Sequence, residues 1–341
     1  MQETDLPHQN FPQQDKDVAP AAPTLLIASP HRYPDLAQLW YRFVRRELMP
    51  AFTQRGLAVT VTIFCDGEPN DFNPDDFLGA SLCLPGPEAR DFMEFYDFAL
   101  NEKCDFLLIL DADAFVLDGE WVAGYLQRFS DQDVSAVSFV PRKGKEGPAI
   151  YALLCRCAHY RALPAPVFPS HYESLEEWPK VVNLQPGDFA AQRLLAAGRK
   201  IISVGAEESA LHVTNFHGTT VVRICRSLFG SLIGDSQFED LIQRERYYAV
   251  GVYDNILLAS LYERLFDSAF APDSLGHSLA GSMTISAFRR VLGNIHDPKR
   301  QSALRDWFEH SNLGFMKMAA CEGLDLALPA IVPENWAKES A

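Results

Sequence analysis

Short apolar runs alternate with helical patterns over the first 140 residues, and this alternation constrains the fold most. The strand-like runs are apolar or β-branched, and the segments between them carry apolar residues every three to four positions. The predicted strands are 24–28, 57–64, 106–110 and 135–140, and the predicted helices are 34–55, 87–103 and 121–129. Strands that alternate with helices in this way form a mostly parallel sheet with helices on both faces. The sequence therefore predicts an α/β, Rossmann-like fold.

The second half of the chain becomes increasingly helical. It is predicted to contain strands at 149–157 and 200–204, an extended segment at 212–217, and helices at 188–198, 238–266, 284–292 and 302–310. The long helix 238–266 is expected to break near Gly251. We predict a disordered leader at 1–22, an α/β domain at 23–225 and a helical C-terminal region at 226–341. That last region could cap an acceptor site, form a homo-oligomer through Tyr247, Tyr248 and Tyr253, or use these rings for core packing.

Composition excludes several classes of partner. The 341 residues carry a formal net charge of −15, which disfavours nucleic acid and anionic lipid as partners. No apolar run approaches the roughly 20 residues that a membrane helix needs, and the N-terminus lacks the basic and apolar regions of a signal peptide. The seven cysteines follow no disulfide or zinc spacing. We therefore expect a cytoplasmic protein without a membrane span.

Polar residues stand where the predicted strands end. Ser29 follows the first strand, Asp66 the second, and Asp111 and Asp113 the third. Because ligands of parallel α/β sheets bind outside the carboxyl ends of the strands, these residues are expected to line a site. Asp66 could instead simply form a turn before Gly67.

Asp111 and Asp113 have the chemistry of a metal site. Two carboxylates one residue apart offer hard oxygen ligands that suit Mn²⁺ or Mg²⁺. Their mutual repulsion is relieved by a cation, which can also bridge to a diphosphate. The alternative is that both residues only form the loop or cap the following segment.

The N-terminal half resembles the nucleotide-sugar-binding half of a GT-A glycosyltransferase, nearest to family 2. The resemblance rests on three stretches: TLLIASPHR from Thr24, IFCDGEPND from Ile63, and EARDFMEFYDFALNEKCDFLLILDADAFV from Glu88. It implies that Ser29, Arg32, Asp66, Arg90 and Asp111 contact the donor nucleotide. It further implies a metal on Asp111 and Asp113, and a nucleotide-sugar donor, with UDP as the default base.

The resemblance continues into the acceptor half. Asp188, in PGDFAAQRLLAAGRK, matches the acidic residue that acts as general base on the acceptor hydroxyl, although Gly187 replaces the usual Glu. His217 matches a late histidine that completes the metal site, with His212 as the other candidate. A single displacement is implied, in which Asp188 deprotonates a hydroxyl of a glycan or protein acceptor. Asp188 as a helix cap and the histidines as structural residues are the alternatives.

Three other functions stay open. A phosphatase of the haloacid-dehalogenase type also uses two aspartates after an apolar strand, but its motif normally opens the domain. A nucleotidyltransferase shares the sheet and the acidic site, but ASPHRYP lacks the glycine-rich loop expected after the first strand. A catalytically silent GT-A-like scaffold is favoured by Gly187 and disfavoured by the intact aspartate pair.

Overall fold

A central seven-stranded sheet organises the molecule. The computed structural model describes residues 21–65, 72–83, 94–139, 152–165, 167–168, 186–216, 235–266, 285–333 and 336. The sheet has the order β3-β2-β1-β4-β7-β6-β8, and β5 pairs with β9 in a separate ladder. The strands are β1 (Thr24–His31), β2 (Ala58–Cys65), β3 (Ser81–Cys83), β4 (Phe106–Leu110), β5 (Ala114–Val116), β6 (Val134–Ser138), β7 (Ala152–Arg156), β8 (Lys200–Ser203) and β9 (Val213–Asn215). Within the large sheet all described pairings are parallel except those of β7.

Helices cover both faces of this sheet. A π-helical segment (Val44–Leu48) joins α1 to α2, and short 3₁₀ segments lie at Pro74–Phe77 and Tyr125–Ser130. The α-helices are α1 (Pro34–Phe43), α2 (Met49–Gln54), α3 (Glu94–Asn101), α4 (Gly119–Gly124), α5 (Cys157–Arg161), α6 (Pro186–Ala196), α7 (Ala206–His212), α8 (Asp235–Arg244), α9 (Arg246–Phe266), α10 (Ile285–Gly293) and α11 (Pro298–Cys321).

Strand β4 shows how the sheet divides the core. Leu108 and Leu110 face a cluster that includes α1, α2, α4 and the C-terminal helices, whereas Leu107 and Ile109 face a cluster built with α3, α5 and α6. This alternation is the period-two pattern of a strand whose two faces are both buried. The apolar run therefore delivers the next residue, Asp111, to an edge of the sheet between two packed layers.

The C-terminal helices join the first of these cores. The rings of Tyr253 on α9 and Phe308 on α11 stack at 4.1 Å, and the Tyr253 hydroxyl donates to Asn312 Oδ1 at 2.7 Å. Tyr253 is therefore used in packing between helices, whereas Tyr247 is 48% exposed. The boundary that we predict at 225 lies outside the described residues, and a dimer through these helices stays a prediction.

The predicted fold class, a mostly parallel α/β sheet flanked by helices with a helical C-terminal region, is confirmed. One predicted helix break is wrong: α9 passes through the buried Gly251, and the interruption lies at Glu245, between α8 and α9. A glycine in a helix interior costs only about 1 kcal/mol, and the buried neighbours Val250 and Val252 offset that cost by packing. The described helices include none that is both long enough and apolar enough to span a bilayer.

Gly119 offers a test of how α4 docks. A Cβ at this position would overlap the backbone carbonyl of Glu47 in the π-helical segment, and backbone cannot move aside as a side chain can. We expect Gly119→Ala to lower the free energy of unfolding by about 3 kcal/mol in urea denaturation. Gly124→Ala in the same helix is the control, because among the described residues no atom outside the neighbouring backbone of this helix lies within 4 Å of its Cβ position. Equal effects of the two substitutions would contradict this packing.

Candidate active site

The candidate site lies at the carboxyl edge of the parallel strands, around the end of β4. Asp111 continues the alternation of β4 on the face covered by α3, where its Oδ1 accepts a hydrogen bond from the Tyr96 hydroxyl at 3.2 Å. Asp113 follows after one buried residue, and its carbonyl accepts from the Phe216 amide at 3.0 Å. Strand β5 then begins at Ala114, which pairs with Asn215 of β9. Backbone pairing thus holds the loop that carries both aspartates.

Both carboxyl groups are half-buried and resist ionisation. Burial raises the pKa of Asp111 to about 6, and the hydrogen bond from Tyr96 opposes part of that rise. The pKa of Asp113 lies well above its usual range because of burial first, then the charge of Asp111, then the charge of Asp254. Two neighbouring carboxylates that are difficult to ionise together form a site that a cation would stabilise.

The end of β1 lies beside this loop. Strand β1 pairs with β4 in parallel up to Ala28 and Ile109, so Ser29 follows directly at the same edge. The buried hydroxyl of Ser29 has no hydrogen-bond partner within the described structure, and neither ring nitrogen of the buried His31 has one. Burial lowers the pKa of His31 to about 3, so this ring is neutral where it packs against Trp40. The partly exposed Arg32 comes next in the chain.

Helix α6 brings Asp188 to the same edge. Because α6 precedes β8, and β8 runs parallel to β6, the first turn of α6 lies at the carboxyl end of the sheet. Ala190 and Leu194 anchor the helix in the core next to β4, and Asp188 itself is buried. The topology therefore places this carboxyl group at the same edge of the sheet as Ser29 and the aspartate pair.

The predicted site residues fall into two groups. Ser29, Arg32, Asp111, Asp113 and Asp188 are described and lie at one edge of the sheet. Asp66, Arg90 and His217 lie outside the described residues. The other histidine candidate, His212, stacks on Trp121 at 4.4 Å and bonds Asp118 through Nδ1 at 3.0 Å. These contacts give His212 a structural role.

Sequence reasoning missed three members of this neighbourhood: Tyr96, Asn215 and Asp254. Tyr96 occupies an apolar position of a helical pattern and could not be distinguished from a core residue. Asn215 lies in the predicted extended segment 212–217, but nothing in the sequence indicates that it pairs beside Asp113. Asp254 did carry a signal, because a carboxyl group in the middle of the apolar run AVGVYDNILLA is either paired or functional.

A groove of about 480 Å³ lies elsewhere, at the opposite edge of the sheet. It is lined by residues before β1 and β2 and by α4, including Pro23, Leu57 and Phe106. Its cation, Arg55, is already paired with Glu120 at 2.7 Å. We therefore assign the chemistry to the acidic edge and not to this groove.

Comparison with known proteins gives similarity at the level of fold. No protein-family model matches the chain, and no curated protein sequence matches it. Among solved structures it is similar to the mannosyltransferase PcManGT from Pyrobaculum calidifontis in complex with GDP-Man and Mn2+, with 13% identity, 90% of each chain covered and a TM-score of 0.40. It is also similar to the glycosyltransferase GlyE of Streptococcus pneumoniae, with 14% identity, 62% of this chain and 50% of that chain covered, and a TM-score of 0.36.

A synthetase is similar over a smaller part of this chain. The CMP:2-keto-3-deoxy-manno-octonic acid synthetase complexed with CTP covers 53% of this chain and 89% of its own, with 12% identity and a TM-score of 0.33. At these scores the similarities do not assign a donor, an acceptor or a reaction to this chain.

Proposed function

We propose that this chain is a metal-dependent glycosyltransferase that moves a sugar from a nucleoside-diphosphate donor to a hydroxyl acceptor. The observation that supports this most directly is the pair Asp111 and Asp113, half-buried at the carboxyl end of a central parallel strand. Burial and mutual repulsion raise the pKa of Asp113, so ionising both groups costs free energy until a cation neutralises them. A diphosphate ligand and its cation match both the position and the charge of this edge.

The donor atoms fit Mn²⁺ or Mg²⁺. Carboxylate oxygens are the protein ligands that these hard ions prefer, and Mg²⁺ commonly uses one or two carboxylates together with water and substrate phosphates. The described residues contain no group of three His, Cys, Asp or Glu side chains placed to hold a metal. We therefore propose that Asp111 and Asp113 hold the ion with phosphate oxygens, and His217 stays a predicted third ligand.

Each site residue has a separate role in the proposed single displacement. When bound, the cation would stabilise the negative charge that develops on the departing nucleoside diphosphate. Ser29 and Arg32 at the end of β1 contact the nucleotide, together with the predicted Asp66 and Arg90. Asp188 accepts the proton of the acceptor hydroxyl as that oxygen attacks the anomeric carbon. Such a displacement inverts the anomeric configuration, and a glycan or a protein side chain would serve as acceptor.

Calorimetric titration of UDP, GDP, CDP and TDP, with and without Mn²⁺, tests the proposal. We expect one base to bind with a dissociation constant of roughly 1 µM to 1 mM, and to bind only with the metal; UDP is our first choice. If none of the four nucleotides binds in the presence of Mn²⁺, the result contradicts an active glycosyltransferase and favours a silent scaffold. Hydrolysis of the matching nucleotide sugar would then separate an enzyme from a scaffold that still binds nucleotide.

A further inference from the structure

One buried carboxyl group near the acidic edge has no structural explanation. Asp254 lies in the middle of α9 with none of its surface exposed, and neither carboxylate oxygen has a hydrogen-bond partner among the described residues. The Ser311 hydroxyl on α11 is near enough to oppose part of the rise that burial causes in the Asp254 pKa, but it does not satisfy either oxygen. A buried polar group without partners costs free energy, and natural chains keep few of them.

The packing of the C-terminal helices explains how Asp254 reaches the site. Its neighbour Tyr253 locks α9 onto α11 through the Asn312 hydrogen bond and the Phe308 stack. On α11, Gly314 lies so close to Thr214 of β9 that a Cβ would overlap the threonine side chain. Strand β9 in turn pairs with β5, directly after Asp113. Asp254 is thereby brought near enough for its charge to act on Asp113.

Asn215 provides a second, independent observation at the same place. Its side chain is 8% exposed, and its Oδ1 has no hydrogen-bond partner in the part of the chain that the structure describes. It lies opposite Ala114 in the β5–β9 ladder, next to Asp113. The described structure therefore has unpartnered oxygens on β9, opposite the residue that follows Asp113, and on α9, and both can accept hydrogen bonds. The ligand that suits them has several hydroxyl donors.

We propose that Asp254, assisted by Asn215, binds hydroxyl groups of the sugar that is transferred, so that the C-terminal helices determine which sugar the enzyme accepts. This rests on the proposed glycosyltransferase function. Asp254 is not assigned as a metal ligand, because the described carboxyl groups do not gather into a three-ligand cluster. Loss of a hydrogen-bonding group in a site built for a hydroxyl weakens discrimination strongly.

The variant Asp254→Asn tests this with matched ligand pairs: UDP with UDP-glucose, and GDP with GDP-mannose, each with Mn²⁺. We expect the nucleoside diphosphate to bind within about twofold of wild type, and the nucleotide sugar to bind about tenfold more weakly. The KM for the sugar donor should rise similarly. Glu263→Gln is the control, because Glu263 is an exposed residue on the same helix. This variant should leave the affinity for both ligands unchanged.

Each outcome distinguishes this proposal from the function on which it depends. If wild type binds none of UDP, GDP, CDP and TDP with Mn²⁺, both proposals fail; if it binds CDP or TDP, the matching sugar nucleotide replaces the pairs above. If wild type binds and Asp254→Asn weakens the diphosphate as much as the sugar nucleotide, Asp254 serves the metal or phosphate and only the sugar assignment is lost. Unchanged binding of both ligands likewise overturns it. A thermal melt checks folding, and Asn215→Ser should reproduce the selective loss.

Discussion

Asp113→Asn is expected to abolish manganese-dependent nucleotide binding and, at the same time, to make the metal-free protein more stable. The amide keeps the shape of the side chain but removes the charge that holds a divalent cation. Substituting residues that only support metal ligands typically lowers metal affinity or activity by about 10- to 100-fold. We therefore expect loss of a ligand itself to weaken nucleotide affinity by more than about a hundredfold. Calorimetry with Mn²⁺ and the preferred nucleotide measures this loss.

The gain in stability follows from the direction of the pKa shift. The pKa of Asp113 in the folded chain lies well above the value of about 3.9 in an unfolded chain. As pH rises above about 4, the unfolded chain releases a proton that the folded chain retains, and the wild type loses stability. Asparagine has no such cost. In EDTA the advantage of the variant should be small at pH 4 and should grow as the pH rises to 7.5.

Asp105→Asn is the matched control for Asp113→Asn. Asp105 precedes the same strand at its opposite end, where its exposed carboxylate accepts from the Thr24 amide at 2.8 Å. This substitution should leave nucleotide binding intact and give no stability gain at pH 7.5. Metal-dependent binding that survives in Asp113→Asn would contradict the metal site. Lost binding with lowered stability would indicate damage to the loop and not loss of a ligand.

The sequence predicted what local patterns determine. The run from Phe106 to Leu110 has the length and composition of a strand buried on both faces, so the position of Asp111 and Asp113 at its carboxyl end followed directly. The β5–β9 ladder was not predicted, because β5 is only three residues long and pairing between segments about 100 positions apart has no local signal. The approach of α9 to this ladder runs through α11 and depends on side-chain packing between distant segments. The sequence therefore indicates only that Asp254 is an unusual buried carboxyl group, and its place relative to the site follows from the packing of the helices.

Asp188→Asn is expected to lower kcat by about 10² to 10⁴-fold without changing the affinity for the nucleotide or the metal. The amide cannot accept the proton of the attacking hydroxyl, whereas in the proposed site other residues, at the ends of β1 and β4, hold the diphosphate. Because Asp188 is buried in the first turn of α6, asparagine keeps the volume of the side chain there. Steady-state transfer assays and calorimetry on the same preparation measure the two quantities separately.

A structural role for Asp188 predicts a different result. A carboxylate in the first turn of a helix stabilises that helix through its dipole, by typically 0.3 to 1 kcal/mol. If that is its whole contribution, Asp188→Asn should change the free energy of unfolding and leave kcat nearly intact. Glu207→Gln, an exposed first-turn carboxylate on α7, calibrates this helix effect in the same protein. A large loss of kcat in Asp188→Asn, set against unchanged kcat in Glu207→Gln, would distinguish proton transfer from helix stabilisation.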